Sequence, residues 1–123
     1  MSDRILLVDD DPNVVKTVAF QLTEEGYSIV VAGNGEEALE RIKEEKPALV
    51  LLDIMMPGMD GIETLKKIKE IDREIPVAMV TAVWDNEEGK RAFEAGAYDY
   101  ITKPIDFEYL KNAVFVKIFP TGR

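Results

Sequence analysis

Five side chains in the sequence have the types and spacing to act together: Asp9, Asp10, Asp53, Thr81 and Lys103. Each lies at the carboxyl end of a predicted strand, and three are carboxylates. Carboxylates brought together repel, and burial with like charge raises their pKa values. A hard divalent cation resolves this, and Mg2+ typically takes one or two carboxylates together with a phosphate. A lysine opposite adds a fixed positive charge, and a threonine hydroxyl can donate to a phosphoryl oxygen. These are the parts of phosphoryl transfer, where catalysis is largely positioning and charge neutralisation. A carboxylate can itself be the nucleophile and become an aspartyl phosphate. Asp53, single and central, is the candidate. Each residue also has a plainer reading. Asp53 could cap a helix, although Pro57 and Gly58 intervene and Asp60 is better placed. Thr81 could be an ordinary strand end, and Lys103 a surface lysine lying along Pro104.

The elements that must position these residues alternate. Continuous apolar runs bounded by turn residues read as strands buried on both faces. The run at 49–52 is of this kind, and less uniform strand signals fall at residues 4–8, 27–32, 76–81 and 98–102. Helical periodicity fills residues 12–25, 36–46, 60–71, 85–95 and 106–119. Asp11 before Pro12 is an N-cap followed by proline at the first helical position. That leaves Asp9 and Asp10 as like charges without a local structural need. The helix at 85–95 is weak, since Gly89 inside it costs about 1 kcal/mol against alanine. The pattern predicts an α/β fold: a five-stranded parallel sheet, order 2-1-3-4-5, flanked by five helices, of flavodoxin-like type. Its topological switch point lies between strands one and three, which end in Asp9-Asp10 and in Asp53. On this model all five candidates gather at the carboxyl edge, which scattered residues would not do.

Composition narrows the partners. The chain has 123 residues, 46% hydrophobic and 32% charged, which suits one globular core. It divides into a domain at 1–119 and a tail at 120–123. No apolar run approaches a membrane span, and no leader is visible. With no cysteine there are no disulfides, and a cytoplasmic location is compatible. With no histidine, imidazole acid–base catalysis, His-containing zinc sites and phosphohistidine on this chain are excluded. A net charge of −9 argues against direct nucleic-acid binding and favours a bound cation or cationic partner.

Four stretches together resemble the receiver domains of two-component response regulators. They are Ile5-Leu6-Leu7-Val8-Asp9-Asp10-Asp11, Leu51-Leu52-Asp53-Ile54-Met55-Met56-Pro57-Gly58-Met59-Asp60-Gly61, Val80-Thr81-Ala82, and Gly96-Ala97-Tyr98-Asp99-Tyr100-Ile101-Thr102-Lys103-Pro104. The resemblance covers nearly the whole chain. It implies that Asp53 accepts a phosphoryl group from a sensor histidine kinase or a histidine phosphotransfer protein. It implies that Asp10 binds Mg2+ directly, that Asp9 helps partly through water, and that the Met55 carbonyl is a further ligand. Thr81 and Lys103 would hold phosphoryl oxygens, Ala82 would keep the approach small, and the Lys103–Pro104 bond would be cis. Tyr100 would turn inward behind Thr81 in a switch signalling to a downstream protein, its alternative being a half-buried strand aromatic. Apolar Met55 and Val83, at positions that tune water access in the family, suggest slow hydrolysis.

Two features depart from that pattern. Phe115, Val116, Ile118 and Phe119 make the last turns of the final helix apolar on more than one face. The expectation is a homodimer or a docked partner on the face of helix four, strand five and helix five, through Phe115, Val116 and Phe119. The competing reading is a fragment whose remainder covers the patch. Trp84 could join that surface or be a chance exposed aromatic. No output domain is visible, so a stand-alone receiver is expected. Other function classes fit less well. An aspartyl-phosphate phosphatase of haloacid-dehalogenase type needs an acid at the position of Met55. A flavodoxin-type cofactor site would need a phosphate loop where Asp9-Asp10-Asp11-Pro12 stands. A receiver-like module that is never phosphorylated would not need the complete set of five.

Overall fold

The computed structural model describes residues 3–56, 58–82 and 85–119. Pro57, Val83, Trp84 and the tail at 120–123 lie outside the described residues, and so do the expectations placed on them. The order is β1 (Arg4–Val8), α1 (Pro12–Glu24), β2 (Ser28–Ala32), α2 (Gly35–Glu44), β3 (Leu49–Leu52), α3 (Gly61–Ile71), β4 (Val77–Thr81), α4 (Asn86–Glu94), β5 (Asp99–Thr102) and α5 (Phe107–Ile118). All pairings are parallel and the sheet order is β2-β1-β3-β4-β5, as the alternating pattern predicts.

Period-two alternation divides the core into two layers. Leu6, Val8, Val50, Leu52, Val77 and Met79 face α2, α3 and α4, meeting Ile42, Ile62, Leu65, Ile68 and Ala92. Ile5, Leu7, Leu49, Leu51, Ala78 and Val80 face α1 and α5, meeting Val18, Leu22, Leu110, Val114 and Ile118. Both faces of the central strands are therefore covered, and their continuous apolar runs follow from that. Asp11, Asn34, Asp60, Asp85 and Asp106 each accept a backbone N–H in the first turn of the helix they precede. Asp60, not Asp53, is thus the cap of α3.

α2 begins one residue earlier than its periodicity suggests, because Asn34 caps it, and it ends at Glu44. Glu45 is extended, with φ −156° and ψ 125°. Two residues on, Pro47 also disfavours helix at Lys46. α4 buries only Gly89 and Ala92, whereas α3 buries Ile62, Thr64, Leu65 and Ile68 besides its first glycine. Backbone amides of α4 should therefore exchange with solvent faster than those of α3. Equal protection in a hydrogen-exchange time course would remove α4 as the easily opened element.

Candidate functional site

The ladder continues one residue past the strand ends and so fixes the acidic edge. Asp9 N–H donates to Ala32 O at 3.1 Å, Asp53 N–H to Val8 O at 3.0 Å, and Lys103 N–H to Thr81 O at 2.8 Å. Asp9 and Asp53 thus stand side by side at the ends of β1 and β3, with Thr81 and Lys103 at the ends of β4 and β5. Oxygens of Asp9, Asp10 and Asp53 lie within 4.8 Å of one another. Asp9 and Asp53 are buried and Asp10 is exposed. All five expected residues converge. Ala82 borders them and is exposed, and Met55 follows Asp53 with its side chain in solvent.

Lys103 is the cation of the cluster. Its Nζ donates to Asp9 Oδ2 at 2.9 Å and to Asp53 Oδ2 at 3.4 Å. It is no surface lysine; its side chain is 17% exposed. The remaining carboxylate oxygens serve the local backbone. Asp9 Oδ1 accepts from Asp11 N–H at 2.9 Å, and Asp53 Oδ1 from Met55 N–H at 3.1 Å. Asp9 therefore does have a local structural use, contrary to the sequence expectation: it closes the turn into α1.

Burial pushes the Asp53 carboxyl above the usual range. The Met55 N–H opposes this, the Asp9 charge adds to it, and Lys103 opposes it. Burial alone would lower the Lys103 pKa, but its hydrogen bond to Asp9 and the charges of Asp53 and Asp9 outweigh that and raise it. The cluster carries more negative than positive charge even with Lys103 in place. Its donors are hard oxygens, which fits Mg2+ rather than a softer metal.

Thr81 adds an unsatisfied donor to the same edge. It is wholly buried, and its Oγ has no hydrogen-bond partner among the described residues. A buried hydroxyl left unpaired costs about 1–3 kcal/mol, so such a donor at the mouth of a charged site points to a transient acceptor. Thr81→Val should leave the free protein at least as stable as wild type, by up to about 1–3 kcal/mol, because the unpaired hydroxyl is gone. It should slow phosphoryl loading about tenfold, the loss of one hydrogen bond to a charged group. A large loss of stability with unchanged loading would show the hydroxyl to be structural.

Tyr100 is half-buried, with its ring packed on the α2–α4 layer. Burial, then the charges of Glu88, Asp85 and Asp53, hold its phenol above the ordinary value. The Lys103–Pro104 peptide is cis, as the resemblance implies.

The apolar end of α5 is divided. Phe115 shares a helix side with Lys111, whose Nζ lies 3.7 Å from Glu25 at the end of α1. Val116 shares a side with Tyr109, whose hydroxyl donates to Asp99 of β5 at 2.9 Å. Phe119 is half-buried against the α1–α5 layer, its ring 5.2 Å from that of Phe115. Of the three residues expected on one face, only Val116 lies toward β5.

Sequence reasoning missed Gly61. The first residue of α3 is buried directly against the backbone of Asp53 and Ile54. The available signal was glycine immediately after a cap, where helix formers with side chains are ordinary.

The family model for the response regulator receiver domain matches residues 5–115. The chain belongs to that family. It is 39% identical over 104 residues to the alkaline phosphatase synthesis transcriptional regulatory protein PhoP of Bacillus subtilis (strain 168), covering 85% of this chain and 43% of that one. The receiver chain thus spans less than half the length of that relative. It is 40% identical over 114 residues to sporulation initiation phosphotransferase F of the same organism, covering 93% of this chain and 92% of that one. Among solved structures, a CheY-like receiver domain protein from Methanospirillum hungatei JF-1 superposes with a TM-score of 0.92 at 33% identity, covering 96% and 94% of the two chains. Among the described residues no helix is long and apolar enough to cross a membrane.

Proposed function

We propose that Asp53 is the phosphoacceptor of this receiver domain and takes its phosphoryl group from a phosphohistidine on a sensor histidine kinase or a histidine phosphotransfer protein. The observation that carries this is the buried, unpartnered Thr81 hydroxyl, which shares its edge with an acidic cluster neutralised only in part by Lys103. Asp10, Asp9, Asp53 and the Met55 carbonyl would hold Mg2+. When bound, the ion supplies charge neutralisation and a template for phosphoryl oxygens.

An Asp53 carboxylate oxygen attacks phosphorus. The P–O bond forms as the P–N bond to the donor imidazole breaks, and the leaving nitrogen keeps the electron pair. Lys103 then exchanges part of its contact with Asp9 and Asp53 for a phosphoryl oxygen, and Thr81 Oγ donates to another. Ala82, with its small side chain, leaves the approach open. Movement of Thr81 toward the phosphoryl group frees space that Tyr100 occupies. Phosphorylation shifts this equilibrium only by its differential interaction with the two packings. The readout is the face of α4, β5 and α5, where Tyr109 and Val116 are exposed to a downstream protein or a second copy. No external substrate is turned over. A cytoplasmic location goes with this chemistry, since a kinase phosphohistidine is made from ATP.

A second reading has its own support. The match spans nearly all of a relative named a phosphotransferase, which favours onward transfer of the phosphoryl group over direct output. Mixing the phosphorylated chain with a histidine phosphotransfer domain distinguishes the two. Loss of label from Asp53 with its appearance on histidine supports relay, and retention supports output. Failure to load from any phosphohistidine donor, or a product stable to hydroxylamine, would contradict the acceptor proposal.

A further inference from the structure

We infer that Gly61 is a positioning residue for the phosphoacceptor, and that the first turn of α2 at Gly35 holds α3 in the register that Gly61 requires. This rests on Asp53 being the acceptor. Gly61 N–H donates to Ile54 O at 3.0 Å. A Cβ at Gly61 would penetrate the Asp53 carbonyl oxygen and sit 2.5 Å from Ile54 Cα and 3.0 Å from the Asp53 carbonyl carbon. These are main-chain atoms, which cannot rotate away as a side-chain tip can. The φ of Gly61 is not positive, unlike those of Gly26, Gly58 and Gly96. Space, not backbone conformation, therefore demands glycine.

A second close approach, this one against side chains, lies one layer out. Gly35 opens α2, and a Cβ there would collide with Thr64 Oγ and lie 3.3 Å from Met59 Cβ and Sδ. Thr64 is wholly buried, and its Oγ donates to the carbonyl of Asp60, the cap of α3, at 2.9 Å. A continuous set of contacts therefore runs from Gly35 through Thr64 and Asp60 to Gly61 and the backbone of Asp53. On its other side Asp53 is held by the bond from its N–H to Val8 O at 3.0 Å. Packed interiors transmit such displacements because they lack free volume. A misplacement of about 1 Å costs on the order of 100-fold in a reaction that depends on positioning.

The test compares Gly61→Ala with Gly26→Ala in the intact chain. Gly26 has φ +98° and nothing within 4 Å of a built Cβ, so alanine there strains the backbone far from the site. The readouts are thermal midpoint and the dependence of phosphorylation rate on acetyl phosphate concentration at saturating Mg2+. Gly61→Ala should lower the limiting rate about 100-fold while donor half-saturation stays unchanged. Gly26→Ala should lose stability and keep its rate. A wild-type limiting rate in Gly61→Ala, or an equal slowing in Gly26→Ala, would overturn the inference. No adduct on the wild type would overturn the acceptor reading and this inference with it. Should Gly61→Ala not fold, Gly35→Ala and the double variant Gly35→Ala/Thr64→Ala carry the test. The first should slow loading about tenfold, and the second should regain part of that rate because the atom met by the new methyl is gone. Equal rates in wild type and both variants would overturn it.

Discussion

Asp53→Asn should carry no phosphoryl adduct and, in metal-free buffer, should melt at a higher temperature than wild type. Loss of the adduct follows because a neutral amide is a poor nucleophile and the proposed acceptor oxygen is gone. The stability gain follows from the state of the free site. Asp53 is buried 5% exposed beside Asp9, and burial, reinforced by Asp9, raises its folded pKa. A carboxyl with a raised folded pKa binds protons more tightly when folded than when unfolded. Stability therefore falls as pH rises from the ordinary carboxylate value through the raised one. Below that window both states are protonated and the mutant has no advantage from this term. Above it the advantage is constant. Asparagine can keep the acceptor contact with Met55 N–H, and Lys103 keeps Asp9 at 2.9 Å. Thermal midpoints of the two proteins across this pH range measure the difference directly. A mutant less stable than wild type at neutral pH would show that the Lys103–Asp53 contact outweighs the burial cost.

Lys103→Met should separate metal binding from phosphoryl loading. The ammonium lies against two carboxylates whose side chains are 2% and 6% exposed. Removing one member of a buried pair leaves uncompensated charge, at a cost of about 3 kcal/mol in metal-free buffer. On the proposed site Mg2+ would compete with Lys103 for the same oxygens, so the variant should bind the ion more tightly and recover much of the lost stability as it binds. Loading should nonetheless fall about 100-fold, since the cation proposed to hold the transferred phosphoryl oxygens is lost. Calorimetric Mg2+ titration with a loading time course checks both halves. Weaker Mg2+ binding in the variant would contradict the shared-oxygen account.

The fold was legible because its signals are local. Four consecutive apolar residues at 49–52 read as a doubly covered strand, and Gly and Pro punctuated the helices. The site was legible because parallel strands deliver their carboxyl ends to one edge, so that Asp9, Asp53, Thr81 and Lys103 meet whatever lies between them in sequence. What stayed hidden depended on contacts between elements. Nothing in the spacing of Gly61 shows the Asp53 carbonyl that excludes its side chain. Adjacent Phe115 and Val116 read as one apolar patch, but neighbours on a helix diverge by about 100°. Only the Lys111–Glu25 and Tyr109–Asp99 contacts show which way each side faces. The turn role of Asp9 was hidden similarly, since a carboxylate closing a turn and one facing a cation are written with the same letter.

Intact mass after incubation with acetyl phosphate, with and without Mg2+, tests the central claim most directly when run beside Asp53→Asn. The account predicts one phosphoryl adduct on the wild type, dependent on Mg2+ and absent from the variant. A folded wild type that binds Mg2+ and gains no adduct, or a variant that gains the same adduct, would contradict it.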